Sequence, residues 1–247
     1  MSTSTTATAP GTVRIARDAN RPQQPVDRKP YSTRSLILRY AAFIIGLVIN
    51  SFGVVFITKG ALGTSPISSV PYVLSLRFPA LSFGVTTFIV NVVFVAVEIA
   101  LLRADFRPFD LLQLVANLLF SACIDLSTGL LSWLDPQTLP TQLASVVVGC
   151  AILAFGLAVE VAPNVLVVPG EGVVRAIAAT ARARFGTVKN IFDITLVAIA
   201  VVLSLLFFGG INGLGLGTVI SALLVGRLCN VYNAHLPLID RIRKLAE

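Results

Sequence analysis

Charge is what this chain has least of. Only 13% of its 247 residues are Asp, Glu, Lys or Arg, against 55% hydrophobic, where a soluble domain carries about a quarter charged residues. The mean hydropathy of +0.87 excludes an ordinary soluble fold and points to an integral membrane protein. Histidine is nearly missing too. His235 is the only one and lies beyond the last apolar run, which argues against a Ser-His triad or a histidine metal site inside the membrane. Cys123, Cys150 and Cys229 all fall within apolar runs and show no C-x-x-C spacing. They read as small buried hydrophobes, not as a disulfide or metal site. Membrane spans and tails use up the whole length, and no nucleophile motif is present. Neither an enzyme nor a cofactor is expected.

The formal net charge is nevertheless +7. The basic residues lie in short loops and tails beside apolar runs, which is the positive-inside pattern and not a nucleic-acid surface. Residues 1–33 are rich in Ser, Thr, Ala and Pro, then basic, and contain no apolar h-region. They are expected to form a disordered cytoplasmic tail and not a cleaved signal peptide.

Six runs are long enough to cross a hydrocarbon core of about 30 Å: approximately Leu36–Ile57, Ser82–Leu102, Leu111–Leu131, Gln142–Val161, Val188–Phe208 and Leu214–Val231. Two further apolar stretches are broken by turn residues, Ala61–Phe78 and Val167–Gly186. The second holds Pro-Gly-Glu-Gly in its middle and ends in Arg182 and Arg184, so it fits neither a soluble helix nor a complete span.

The second half of the chain repeats the first. Gly46, Phe52-Gly53 and Pro66 recur 103 residues later as Gly149, Phe155-Gly156 and Pro169. After one deletion the offset is 102: Phe83-Gly84 matches Phe185-Gly186, Asn91 matches Asp193, and Asp110 matches Asn212. Constant spacing over most of each half marks an internal repeat. Arg103, Arg182, Lys189 and the Arg241–Lys244 cluster fall on one side with the basic tail only if the two broken stretches enter the membrane and return. Each repeat then makes three crossings, and an odd number turns the second repeat upside down. The expected fold is an all-α polytopic membrane protein: six transmembrane helices plus two re-entrant half-helices in an inverted 3+3 repeat. Residues 34–139 form the first repeat, 140–235 the second, and 236–247 a short cytoplasmic tail. Inverted repeats with discontinuous helices are a recurring transporter plan.

The half-helices carry the candidate site. Pro66 and Pro169 suit a first helical position, where the missing N–H costs nothing, and a helix from Pro169 to Arg184 would be about 24 Å long at 1.5 Å per residue. Helices descending from opposite faces aim their N-termini at the midplane, where irregular backbone is tolerated only beside protein or water. Thr64 and Ser65 bring hydroxyls to one start, and Gly170 and Glu171 lie at the other. Glu171 sits in the first turn, where the helix dipole favours a carboxylate, and Arg175 follows one turn on. These could bind a solute or proton, or simply cap the helix and pair at i,i+4. Asn91 and Asp193 are related by the repeat and would face the bundle centre, as ligands or as an interhelical hydrogen bond. Asn50 reads as a packing group, and Glu98 and Glu160 as residues solvated at an interface.

The segments LGTSPISSVPYVLS, PGEGVVRAIA and NIFDITLVAIAVVLSLLFFGGINGLGLGTVISALLVG resemble the YczE/YyaS/YitT group of bacterial multi-pass membrane proteins, over about Leu36 to Val231. The resemblance implies a bacterial inner-membrane protein of the same architecture and supplies no activity. The expected function is a small-solute transporter or permease with a midplane site. Thr64, Ser65, Pro66, Asn91, Pro169, Gly170, Glu171, Arg175 and Asp193 would bind substrate or ion. The alternative is an accessory or scaffold protein without transport of its own. Partners are the lipid bilayer and an unknown solute, with proton coupling and a homo-oligomer both open; both termini are expected in the cytoplasm.

Overall fold

A computed structural model describes residues 33–245, except 104, 105 and 107. The tail expected at residues 1–33 and the middle of the RADFR loop therefore lie mostly outside the described residues. Every regular element among those described is helical: α1 (Thr33–Lys59), a 3-10 turn (Pro66–Ser68) running into α2 (Ser69–Arg77), and α3 (Phe83–Leu102). A second 3-10 turn (Pro108–Leu111) leads into α4 (Leu112–Leu130), followed by α5 (Leu139–Val161) and α6 (Pro169–Thr180). Then come α7 (Phe185–Phe208), α8 (Leu216–His235) and α9 (Pro237–Lys244).

Among the described residues, five helices are long and apolar enough to cross a membrane: α1, α3, α4 with its leading turn, α5 and α7. The sixth expected run does form a helix of 20 residues, α8. Its apolar character is diluted by Thr218, Ser221, Arg227, Asn230 and Asn233, so by composition it does not join the other five.

The two broken stretches fold as short helices. The turn and α2 together run from Pro66 to Arg77 and α6 from Pro169 to Thr180, bounds that coincide at the 103-residue offset. At 1.5 Å per residue each is about 18 Å long, well short of a hydrocarbon core of about 30 Å. The run to Arg184 expected for α6 stops early at a Schellman closure. Ala183 N–H donates to Ala178 C=O and Arg182 N–H to Ala179 C=O, with Arg182 at φ +52° in the left-handed position usually held by glycine.

The centre of the molecule is the α1–α5 pair. Gly46 lies against Glu160, Gly53 against Leu153, Gly149 against Ile57 and Gly156 against Asn50. Numbers rise on one helix as they fall on the other, so the pair is antiparallel. A Cβ at any of these glycines would stand under 3 Å from the facing backbone or side chain, so only glycine permits this approach. Around this seam Val54, Ile57, Ile124, Val146 and Leu153 form one apolar core, and α2, α6, α3 and α7 share a second one built on Val70, Val73, Val173 and Val174. The outer faces stay apolar as well: Val115, Leu126, Ile194 and Leu206 are each more than 60% exposed, as lipid-facing positions should be. At the end of the chain α9 lays Ile239 and Ile242 on Ala158, Val159 and Ala162 and turns Arg241, Arg243 and Lys244 outward.

Candidate functional site

Two non-helical connections lead into the short helices, Leu62–Ser65 before Pro66 and Val165–Val168 before Pro169, and they are separated by the same 103-residue offset. The first is sealed. Leu62 C=O accepts from Gly217 N–H at 2.7 Å, Thr64 N–H donates to Thr218 Oγ1 at 3.2 Å, and Ser221 Oγ donates to Thr64 C=O at 3.1 Å. Gly63, at φ +117°, lies directly against Thr218 and Gly215. Gly63, Thr64 and Ser65 are all buried. The second connection is braced where it starts: buried Arg39 donates through Nε to Pro163 C=O at 3.0 Å and through Nη2 to Asn164 C=O at 3.1 Å. Beyond that point Val165–Val168 is only half-buried.

The difference follows from the facing helix. α8 presents Gly215 and Gly217 to Leu62, and their carbonyl contacts would be violated by any Cβ. At the 102-residue offset α4 has Gln113 and Val115 instead, and of the two only Gln113 lines this side. A glycine lets two backbones touch, whereas a glutamine holds them apart. The result is a cleft of about 320 Å³ bounded by Val165–Val167, Glu98, Asp110, Gln113, Gly172 and Arg175. A second cavity, about 580 Å³, lies at the other end around Phe56, Trp133, Ser145 and the Asp135–Thr138 loop. Asp135 is the only ionisable side chain lining it.

The Pro-Gly-Glu-Gly segment is explained by its neighbours. Gly170 receives the Ile67 side chain, and Gly172 receives the Glu98 carboxylate and the Gln113 amide. Gly170 and Ile67 are themselves 103 residues apart, and through them the starts of the two short helices touch. Glu171, between the glycines, lies 3.9 Å from Arg175.

The candidate residues named from sequence divide into groups. Pro66 and Pro169 do begin their helices, and Ser65 Oγ donates to Ser68 Oγ at 2.9 Å. Gly170, Glu171 and Arg175 stay together on α6. Thr64 turns instead to α8. Asn91 donates to Asn117 Oδ1 at 2.7 Å, and Asp193 accepts from Lys189 Nζ at 2.6 Å; neither joins the half-helix starts. Asn50 makes the packing bond expected of it, donating to Glu160 Oε2 at 2.6 Å. Glu98 and Glu160, by contrast, are not solvated at an interface: they are 7% and 2% exposed. Glu98 accepts from Gln113 Nε2 at 2.9 Å. Gln113 and Asn117 went unnoticed in the sequence. A usable signal existed, because residues equidistant from the RADFR loop face each other in a helical hairpin, as Glu98 and Gln113 do.

Residues 37–234 match the model of a family of unknown function, DUF6198. That match covers most of the chain. The chain belongs to DUF6198. No curated protein and no solved structure matches it. The DUF6198 match takes in both half-helices and all five long apolar helices from residue 37 onward, so the cleft lies entirely within the family region. The family description names no activity and does not use the YczE/YyaS/YitT name.

Proposed function

We propose that the chain is a small-solute permease of a bacterial inner membrane, working by alternating access between two inverted repeats, and not an enzyme. The observation that carries this reading is the unequal state of two equivalent places: the connection into one half-helix is sealed by α8, while its counterpart opens on a charged cleft. A protein that exposes one site alternately to two sides needs such a pair, with one closed when the other is open. The coinciding bounds of the half-helices, the antiparallel α1–α5 seam and the Ile67–Gly170 contact support the inverted plan. The cleft opens toward the ends of α3 and α6, beside Arg103, Arg182 and Arg184, so the positive-inside rule makes it the cytoplasmic mouth, with both termini on that side. In this reading the Thr64–Pro66 and Pro169–Arg175 segments line the solute path and exchange sealed and open roles, with Glu171 and Asp193 available for ion coupling.

The test is thiol accessibility in a background where Cys123, Cys150 and Cys229 are replaced. A Leu166→Cys variant should react with a membrane-impermeant maleimide from the cytoplasmic side only, and a Thr64→Cys variant should react slowly from either. Solute should shift both rates in opposite directions. A second reading, a scaffold with no transport, draws on the dry packing of Ile67, Val70, Val73, Val173 and Val174 between the half-helices. It is favoured if neither variant labels and no solute changes either rate.

A further inference from the structure

The cleft holds charges of both signs, unevenly placed. Acceptors gather at its inner end. The Glu98 carboxylate is buried against Gly172, and Gln113, 3% exposed, keeps its Oε1 without any hydrogen-bond partner. Asp110 adds a second carboxylate to the lining. A buried amide oxygen with no donor is costly unless a ligand supplies one, and the carboxylates beside it select a donor that carries positive charge. The opposite pole stands on α6. Arg175 lies one turn beyond Gly172, about 4.5 Å further along the axis. Its side chain is half-exposed, and its 3.9 Å contact with Glu171 is longer than a hydrogen bond, which leaves the guanidinium fork able to take a carboxylate. The rest of the lining is apolar, from Leu102, Phe109, Leu166 and Ala176 among others. A purely anionic solute would meet Glu98 and Asp110; a purely cationic one would meet Arg175.

We infer that this cleft binds a small zwitterion of amino-acid size with an aliphatic body, its ammonium held by Glu98 and the Gln113 amide oxygen and its carboxylate by Arg175. The volume, about 320 Å³, is at the small end of ligand sites. The inference rests on the permease reading for why a solute enters, and names the class it takes.

Full-length protein in detergent is melted while Trp133 fluorescence is followed, with L-leucine, 4-methylpentanoate or 3-methylbutylamine added at equal concentrations. L-leucine should raise the melting temperature saturably, since it binds only the folded chain, and the two single-charge analogues should not. Glu98→Gln and Arg175→Gln should each weaken L-leucine about tenfold or more, as loss of a charge-assisted contact does. Ala179→Phe narrows the mouth from an exposed position one turn beyond Arg175, leaves both charged groups in place and adds no second tryptophan. It should abolish the shift while leaving the unliganded melting temperature unchanged, which separates lost binding from lost folding. Equal stabilisation by either analogue, no shift with L-leucine, or a shift indifferent to all three substitutions overturns the inference. Proteoliposome uptake keeps the two ideas apart. Zwitterion binding without uptake removes the permease reading and leaves the site; uptake of a solute with one charge sign does the reverse.

Discussion

Single residues set how closely the backbones approach. Gly156 lies against the Asn50 backbone, so Gly156→Val should force α1 from α5 at a cost of about 1–3 kcal/mol, read as a lower melting temperature and a lower folded yield. Gly172→Ala is a subtler probe. Its Cβ would stand 2.6 Å from Glu98 Oε2, so the carboxylate must move, and reactivity of the Leu166→Cys variant should change while the rest of the bundle holds. Asn50→Leu should cost about 1–3 kcal/mol, because it strips the buried Glu160 carboxylate of its donor, and Glu160→Gln in the same background should recover part of that loss. These effects were half-visible beforehand. The glycines stood out by recurring at a fixed interval, but which atoms they admit depends on the partner helix, and no spacing in the chain gives that.

At the scale of elements, what closes each helix was partly legible. Proline at Pro66 and Pro169 marked two starts correctly, since a missing N–H is harmless only there. The end of α6 was misjudged by four residues, because apolar pattern and basic charge continue to Arg184 while the backbone turns at Arg182. A non-glycine residue at φ +52° is strained, and Arg182→Gly should raise the melting temperature by a few degrees, reflecting about 1 kcal/mol. The start of α3 was legible from the apolar run beginning at Ser82 and from the repeated Phe-Gly, but what caps it was not. In the fold Ser82 Oγ accepts from Val85 N–H at 3.1 Å, and Asp125 of α4 takes both Gly84 N–H at 2.7 Å and Ser82 Oγ at 2.6 Å. An Asp125→Ala variant should therefore lose about 1 kcal/mol or more. No local motif announces a cap delivered from 40 residues away.

For the molecule as a whole, the order of the apolar segments and five of the six expected spans could be read from composition, because lipid demands long apolar helices. The cleft could not, since it arises where Gln113 stands in the place of Gly215, a comparison that needs both repeats folded and facing. Two measurements belong at this scale. Reporter tags on either side of Val167–Gly186 should answer from the same compartment, as a segment that turns back requires. Gln113→Gly should let α4 close on Val165–Val168 as α8 closes on Leu62–Ser65, and so slow labelling of the Leu166→Cys variant. The α1–α5 seam has a further consequence during synthesis. A ribosome that has finished α1 has made only one side of a glycine groove, and its mate begins 80 residues later, at Leu139 against Lys59. Until α5 arrives, the nascent first half waits in the bilayer with its closest-fitting surface unoccupied, so a chain stopped in that interval should be cleared by membrane proteases and not accumulate as a stable half.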